Sequence, residues 1–408
     1  MRNSNPSVVA IFDAIEYIKN QKPLVKFKQS FISNDFKKAK AFLISYSNNE
    51  ATLNAYRREI ERLLHWSWLI AKKSVRDLRR ADIEAYIEFC QKPPLEWIGT
   101  KKVSRFIERE GQRVPNPAWR PFIATVSKAE HRRGKQPNPK RYALAQKAIR
   151  EIFTITSSFY NFLIQEEYTE VNPILHVRQK NRFFKKTQNK GKIRRLSELQ
   201  WDYVIETAEI MANKLPEKYE KTLFMMTALY AMYLRISELV ASERWTPKMC
   251  NFYCDHDGLW WFVTVGKGNK ERQISVSDHM LNALRRYRKY LKLSPLPSRA
   301  DTSPLLPKSL GTGPITSTSY IRKIVQACFD RTIERLKADG FHDEADSLLE
   351  ATVHWLRHTG ISDDVKRRPR EHVRDDAGHS SSAITDKYID IELRARHASA
   401  RKKPIKNN

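Results

Sequence analysis

Apolar residues recur at every third or fourth position over most of this chain, and this spacing restricts it to a fold built mainly from helices. The pattern runs from Phe36 to Leu43 and from Leu53 to Leu64, and it returns from Leu144 to Ile164. A strongly apolar segment, Leu223 to Val240, has the length of a buried helix. We therefore predict long helices in both halves of the chain.

One segment in the second half alternates instead, as a strand does. Residues 259–265 are rich in β-branched and aromatic residues, and a Gly-Lys-Gly-Asn turn follows them. Residues 273–276 then alternate between polar and apolar side chains. This combination predicts a β-hairpin. The expected fold class is therefore mainly α (α+β), two helical domains of which the second holds a small antiparallel sheet.

A basic run without any acidic residue separates the two halves. Its cations are Arg178, Lys180, Arg182, Lys185, Lys186, Lys190, Lys192, Arg194 and Arg195. Such a run is either a solvated linker or a segment that follows a phosphate backbone. We predict an N-terminal appendage (1–30), a helical domain (31–177), this linker (178–195), a second domain (196–392) and a basic tail (393–408). The Pro-rich, Trp-containing residues 93–141 are interpreted as an insertion in the first domain.

The composition favours a polyanionic partner. The 408 residues include 74 Lys and Arg against 46 Asp and Glu, which gives a net charge of +28 at pH 7. Charge alone leaves a generic basic surface or an RNA-binding role open. Only four cysteines occur, which fits a reducing compartment. Cys250, Cys254 and His256 lack a second ligand pair, and no apolar run is long enough to cross a bilayer, so we expect neither metal nor membrane.

Five short motifs carry side chains suited to phosphate chemistry. Two lie in the middle of the chain: Leu-Arg-Ile-Ser-Glu-Leu at 234–239 and Gly-Lys-Gly-Asn-Lys-Glu-Arg at 266–272. Three lie near the end: His-Trp-Leu-Arg-His at 354–358, Gly-His-Ser-Ser at 378–381, and Tyr388. On a helix, His354 and Arg357 share a face, and a guanidinium fork matches the geometry of a phosphate.

Each of these residues also has a purely structural interpretation when it is taken alone. Arg235 could extend from the edge of its apolar helix, and Lys267 could be a surface lysine in a turn. The histidines and Tyr388 could be core residues. The complete set in this order argues against coincidence. We expect six side chains to gather around one phosphate: Arg235, Lys267, His354, Arg357, His379 and Tyr388.

This set and its flanking motifs resemble the tyrosine recombinases, the phage-integrase family that cuts and rejoins DNA. The resemblance covers residues 196–392 and, more weakly, residues 35–177. It implies a core-binding domain and a catalytic domain that close around DNA as a C-shaped clamp. Tyr388 would then be the nucleophile, and Arg235, Arg357, His354 and His379 would act on the phosphate. Lys267 would be the general acid and Glu238 a supporting residue, with Lys270, Arg272 and the basic run as DNA contacts.

The resemblance also implies that the chain works without metal or ATP, through a 3′-phosphotyrosyl intermediate. The expected partners are double-stranded DNA with an inverted-repeat site, three further copies in a tetramer on two sites, and an accessory factor that sets direction. The expected location is the bacterial cytoplasm, at the nucleoid. The insertion favours an integrase or transposase of a mobile element. Two alternatives remain, a type IB topoisomerase-like enzyme and a non-catalytic basic DNA-binding protein.

The chain departs from the family pattern between Arg357 and His379. Family members usually have an apolar helix there, whereas residues 361–370 read Ile-Ser-Asp-Asp-Val-Lys-Arg-Arg-Pro-Arg. After Tyr388 the chain continues into the basic tail. That tail is interpreted either as a segment that docks on a neighbouring protomer or as a frayed terminus.

Overall fold

The computed structural model describes residues 8–23, 29–178, 183, 194–266, 268–388 and 400–401. The chain forms two compact units, residues 1–190 and 191–408. Both are built mainly from helices, and the second holds a small antiparallel sheet. The fold class predicted from the sequence is confirmed in these respects.

The first unit is a set of helices that pack their apolar faces into one core. Asn49 begins the third helix, where its side chain accepts a hydrogen bond from the backbone N–H of Thr52. The longest helix of the unit buries one face, which includes Phe153 and Phe159. The helices are α1 (Ile15–Ile18), α2 (Ile32–Ser45), α3 (Glu50–His65), α4 (Arg80–Gln91), α5 (Lys128–Arg132), α6 (Gln146–Gln165) and α7 (Pro173–Arg178).

The segment between α4 and α6, predicted as an insertion, is folded onto this core. It contains a short parallel pair, β1 (Ile98–Gly99) with β4 (Phe122–Ile123), and an antiparallel hairpin, β2 (Phe106–Arg109) with β3 (Gln112–Pro115). Its large apolar side chains are buried among those of the helices: Trp97, Phe106, Trp119 and Phe122. The segment therefore extends the hydrophobic core of the first unit.

Residues 8–12 lie in the stretch predicted as an appendage, yet they are buried in the same core. The carboxylate of Glu61 accepts hydrogen bonds from the backbone N–H groups of Ile11 and Phe12, and it pairs with Arg105. The buried ring of His65 donates from Nε2 to the carbonyl of Val9, at 2.8 Å. Side chains of α3 thus satisfy the backbone of this extended N-terminal segment.

The second unit combines eight helices with a three-stranded antiparallel sheet among its described residues. The sheet order is β5 (Phe252–Cys254), β6 (Trp260–Val265) and β7 (Glu271–Ser275), so β6 and β7 form the hairpin that the alternation predicted. The helices are α8 (Glu198–Lys214), α9 (Pro216–Ala231), α10 (Asp278–Tyr290), α11 (Thr318–Ala338), α12 (His342–Leu348), α13 (Val353–Asp364), α14 (Arg370–Ala377) and α15 (Ser382–Thr385).

Helices α9 and α13 approach each other closely at Gly360. A Cβ atom at this position would collide with the backbone carbonyl of Tyr230, and it would lie 3.2 Å from the ring of Tyr233. Only glycine fits here without moving one of the helices. This contact sets α13, which carries three of the motif residues, directly against the end of α9.

No helix among the described residues is both long and apolar enough to cross a bilayer. In the same part of the chain, no group of three or more His, Cys, Asp or Glu side chains is arranged to hold a metal ion. Cys250 and Cys254 are free thiols.

Candidate active site

A buried carboxylate joins two of the arginines. After α9 the chain passes through Tyr233 and reaches Arg235 in an extended conformation, and a 3-10 turn over Ile236–Glu238 follows. One carboxylate oxygen of Glu238 accepts the backbone N–H of Arg235 at 2.8 Å, and the other accepts its Nη1 at 2.9 Å. Because the side chain of Glu238 is only 1% exposed, water does not weaken these bonds.

Arg272, on strand β7, binds the same carboxylate. Its two terminal nitrogens donate to the two oxygens of Glu238 at 2.7 and 2.8 Å, and its Nε donates to the carbonyl of Asp376 at 3.1 Å. This side chain, expected to contact DNA from the hairpin, is only 9% exposed and holds the carboxylate of Glu238. A direct contact between Arg272 and DNA stays a prediction.

The β6–β7 turn begins against this cluster. A Cβ atom on Gly266 would lie 3.2 Å from Glu238 Oε1 and 3.3 Å from the Nη1 atoms of Arg235 and Arg272. Glycine therefore allows the turn to start in contact with the two guanidinium groups. Lys267, the next residue, lies outside the described residues, so its assignment as general acid stays a prediction.

Helix α13 presents the second arginine and two histidines. Arg357 is buried, and it donates from Nη1 to the carbonyl of Tyr233 and from Nη2 to the carbonyl of Ala377, the latter at 2.6 Å. His354 and His358 lie one helical turn apart, with ring centroids separated by 4.2 Å. Arg357 therefore joins the segment before Arg235 to the end of α14.

His379 follows directly on the end of α14. Gly378 ends the helix with a φ of +62°, a left-handed conformation that suits glycine, and a Cβ there would lie 2.8 Å from Cδ of Arg272. The ring of His379 stacks on that of Tyr388 at 5.8 Å between centroids. Its Nδ1 is within hydrogen-bond distance of the Thr385 hydroxyl, at 2.9 Å.

The Tyr388 hydroxyl contacts His358. The phenol oxygen lies 2.6 Å from Nδ1 of that histidine, and the tyrosine is only 6% exposed. Its ring packs in a small core with Tyr233, Ile361, Val373 and others. Burial raises the pKa of Tyr388, although the positive charges of Arg357 and Arg235 act in the opposite direction.

The protonation states are set by burial and by mutual repulsion of the cations. Burial, Arg235 and Arg272 lower the pKa of Arg357 to about 9. Burial and the three arginines lower the pKa of His379 to about 4, and burial, with His354, Arg357 and His379 close by, lowers that of His358 to about 4. Near neutral pH these two histidines are uncharged while the arginines are charged. The site is therefore electropositive, and a bound anion would relieve this repulsion.

The polar stretch after Arg357 forms a network that the sequence did not predict. Arg368 donates to Asp376 at 2.6 Å, to Ser275 at 3.0 Å and to the Tyr233 hydroxyl at 3.1 Å. Tyr233 also donates to Asp364, and Asp376 accepts the backbone N–H and hydroxyl of Ser275. These bonds connect α13, α14 and β7, where an apolar helix was expected from the family pattern.

The predicted site residues thus fall into three groups. Those in contact within the second unit are Arg235, Glu238, Arg272, His354, Arg357, His379 and Tyr388, as the geometry above describes. Lys267 and most of the basic run, Lys180, Arg182, Lys185, Lys186, Lys190 and Lys192, lie outside the described residues. Arg194 and Lys270 are exposed, Arg195 is half-buried, and Arg178 ends α7.

Sequence reasoning missed three contributions. His358 was noted in its motif but not assigned to the site, although its spacing from His354 places both on one helix face. The pairing of Arg272 with Glu238 had no local signal, since these residues come from different elements. Tyr233, whose carbonyl receives Arg357, was missed for the same reason.

Comparison with known proteins gives a partial sequence match. No family model matches the chain. The tyrosine recombinase XerD of Rickettsia bellii (strain RML369-C) is 32% identical over 139 residues, and that of Rickettsia prowazekii (strain Madrid E) is 35% identical over 138 residues. Each match covers 34% of this chain and 41% of the relative. The chain therefore spans less than half the length of these relatives.

Solved structures share the fold over nearly the whole chain. The site-specific recombinase XerH, bound to a palindromic difH substrate after cleavage, has a TM-score of 0.54 at 11% identity and covers 95% of this chain and 93% of its own. The Tn1549 transposon integrase, in complex with transposon right end DNA, has a TM-score of 0.51 at 15% identity, over 90% of this chain and 98% of its own.

Such low identities show a shared fold rather than a shared activity. The similarity in sequence comes from the partial match to two tyrosine recombinases. Together, the match and the fold confirm that this chain resembles the tyrosine recombinase/integrase family, as the motifs indicated.

Proposed function

We propose that this protein is a site-specific DNA recombinase that cuts and rejoins DNA through a covalent bond between Tyr388 and the DNA. The main support is one arrangement in the second unit. There, the phenol of Tyr388 lies against His358 and His379, and its pKa responds to the charges of Arg235 and Arg357. A nucleophile near one buried and one partly exposed arginine, Arg357 and Arg235, is what phosphodiester exchange requires.

In the first step, the phenol oxygen attacks a DNA phosphate and the bond from phosphorus to the 5′-oxygen breaks. Arg235 and Arg357 stabilise the negative charge on the non-bridging oxygens, because guanidinium groups stay charged and bind such oxygens with two parallel hydrogen bonds. His354 and His379 contribute further hydrogen bonds to the phosphate. Glu238 keeps Arg235 in place by binding both its backbone and its side chain.

In the same step, the departing 5′-oxygen takes a proton from Lys267. The product is a 3′-phosphotyrosyl bond, which keeps the energy of the broken phosphodiester because a phenol is a much better leaving group than an alkyl alcohol. A 5′-hydroxyl of a partner strand can then attack the phosphotyrosine and reverse the reaction. The proposed reaction needs neither ATP nor a metal ion.

The proposed substrate is double-stranded DNA with inverted repeats, bound by a homotetramer that holds two sites. The net charge of +28 at pH 7 favours such a partner, and so does the basic run. The DNA complexes of XerH and of the Tn1549 transposon integrase, which share the fold, support DNA as the partner, and the latter supports a role as an integrase or transposase of a mobile element. We place this activity at the bacterial nucleoid, with an accessory factor that sets its direction.

The direct test is Tyr388→Phe. A pool of random-sequence duplexes is first enriched by binding to the Phe variant, and the enriched duplexes are then offered to both proteins. We expect the wild type to form a DNA adduct that survives denaturation, with the phosphorylated peptide containing residue 388. The variant should bind with similar affinity and form no adduct, because it lacks the attacking oxygen.

Two outcomes would contradict the proposal. An adduct in the Phe variant, or one mapped to another tyrosine, would remove Tyr388 from the reaction. Relaxation of a supercoiled plasmid with no preference for the enriched sequences would indicate a topoisomerase instead.

A further inference from the structure

The hydrogen bond between Tyr388 and His358 sets this histidine apart from the other two histidines near the phenol. Of the described residues near the phenol, His358 is the one whose ring nitrogen reaches its oxygen, at 2.6 Å. The other two histidines relate to the phenol differently. His379 contacts it through its ring face and has its Nδ1 at the Thr385 hydroxyl, and His354 packs on His358 by its ring edge.

The direction of the bond follows from the charge state. An imidazolium has no lone pair to offer, whereas a neutral ring with its proton on Nε2 can accept at Nδ1. His354 and Arg357 from α13 and His379 from the end of α14 face this ring, and they lower its pKa together with burial, to about 4. Near neutral pH, His358 is therefore uncharged, and the phenol donates to its Nδ1.

Resting on the function proposed above, we propose that His358 is the general base that takes the proton from Tyr388 as it attacks the phosphate. The Tyr388 O–H bond breaks and its proton moves to Nδ1, while the new bond from oxygen to phosphorus forms and the bond to the 5′-oxygen breaks. In the reverse reaction, the departing phenolate recovers the proton from His358.

The surroundings suit this transfer. A phosphate bound between Arg235 and Arg357 brings a negative charge next to the ring, which stabilises the imidazolium and raises the proton affinity of His358 during attack. His358 directly follows Arg357 on α13, so the same helix positions both the base and the arginine. One rigid helix thus supplies both the proton acceptor and a phosphate ligand.

The test separates proton transfer from simple placement of the phenol. His358→Asn keeps an oxygen acceptor near the position of Nδ1 but cannot take the proton, so single-turnover adduct formation should fall about 100-fold, as is typical for loss of a general base. Affinity for the enriched duplexes and the melting temperature should change little. His372→Asn, at an exposed histidine of α14, is the matched control and should leave the rate unchanged.

Replacing Tyr388 by a fluorinated tyrosine gives an independent readout. Fluorination lowers the pKa of the phenol, which then ionises with less help from a base. We expect the fluorinated tyrosine to raise the rate of adduct formation in His358→Asn by at least about tenfold. In the wild type it should change this rate little.

The outcomes distinguish the two proposals. If the wild type forms no adduct at residue 388, the recombinase function itself is wrong. If the wild type forms the adduct, but His358→Asn keeps the full rate or gains nothing from the fluorinated tyrosine, the assignment of the base is wrong and the function stands.

Discussion

At the scale of single residues, Glu238 connects the parts of the candidate site. One carboxylate accepts the backbone and side chain of Arg235 and both terminal nitrogens of Arg272. Burial alone would raise its pKa, but these hydrogen bonds and charges lower it overall. Without this negative charge, the guanidinium groups of Arg235 and Arg272 would repel each other with no counter-charge between them. Glu238 therefore keeps Arg235 in position next to Arg272.

Glu238→Gln tests this arrangement. The amide offers one oxygen in place of two and leaves the arginines without a counter-charge, so we expect a loss of about 3 kcal/mol in the free energy of unfolding. Adduct formation should also fall, because Arg235 loses its support. Urea denaturation measures the first effect and the single-turnover assay measures the second.

The matched control is Glu206→Gln. Glu206 also pairs with an arginine, Arg335, but its side chain is 58% exposed, and exposed pairs contribute little. Equal losses in the two variants would show that the burial of Glu238 has no importance.

The sequence predicted which residues would gather, but only part of how they contact each other. The order and flanking motifs of Arg235, His354, Arg357 and Tyr388 were enough to expect one cluster. The hydrogen bond from Tyr388 to His358 depends on how the segment after α14 folds back on α13, and no local pattern encodes that. The roles of these residues in catalysis remain predictions.

At the scale of elements, regular patterns were informative and irregular polar ones were not. The alternation around the Gly-Lys-Gly-Asn turn predicted the β6–β7 hairpin, and the structure confirms it. Residues 361–370 gave no such signal, because their charged side chains find partners on β7 and Tyr233, far away in sequence, and on the nearby α14. Periodicity reports burial of apolar faces, so a network of polar side chains escapes it.

Arg368→Met tests whether this network supports the site. The change leaves Asp376, which is nearly buried, without its cation, and we expect a loss of about 3 kcal/mol in the free energy of unfolding. Because Asp376 lies just before Gly378 and His379, the rate of adduct formation should fall as well. Urea denaturation and the single-turnover assay report the two effects.

Arg374→Met, on α14, is the control, since Arg374 pairs with the exposed Asp375 at the surface. Arg368→Lys should recover part of the lost rate through its remaining charge. If Arg368→Met forms the adduct as fast as the Arg374→Met control, the network does not support the active site.

At the scale of the whole molecule, each of the two units has its own core, and the core of the first was harder to foresee. Residues 8–12 have no helical period because they are extended and buried, and they fill a place beside α3. The Trp-containing segment between α4 and α6 likewise joins the core through scattered aromatic residues. Contributions of this kind arise from tertiary packing and leave no repeating pattern in the sequence.

The buried His65 makes the first unit sensitive to acid. Burial lowers its pKa to about 4 from 6.5, so the unfolded chain binds more protons than the folded one between these values. Stability therefore falls as the pH drops through this window, and from about pH 7 to about pH 5 this histidine should cost about 2 kcal/mol.

Urea denaturation at both pH values checks this expectation. His65→Gln, which keeps a donor for the Val9 carbonyl but does not titrate, should remove that share of the pH dependence. His131→Gln, at an exposed histidine of the same unit, should retain it. Identical pH dependence in the wild type and His65→Gln would contradict the assignment.

Tyr233 contributes to the second unit through its backbone conformation, its carbonyl and its hydroxyl. Its backbone has a φ of +50°, which costs a tyrosine about 1–2 kcal/mol, and its carbonyl receives Arg357 while its hydroxyl pairs with Asp364. A substitution at position 233 would therefore disturb several contacts at the same time. In more distant homologues, we expect exchanges at 233 to be accompanied by compensating exchanges at 364 and 368 rather than to occur alone.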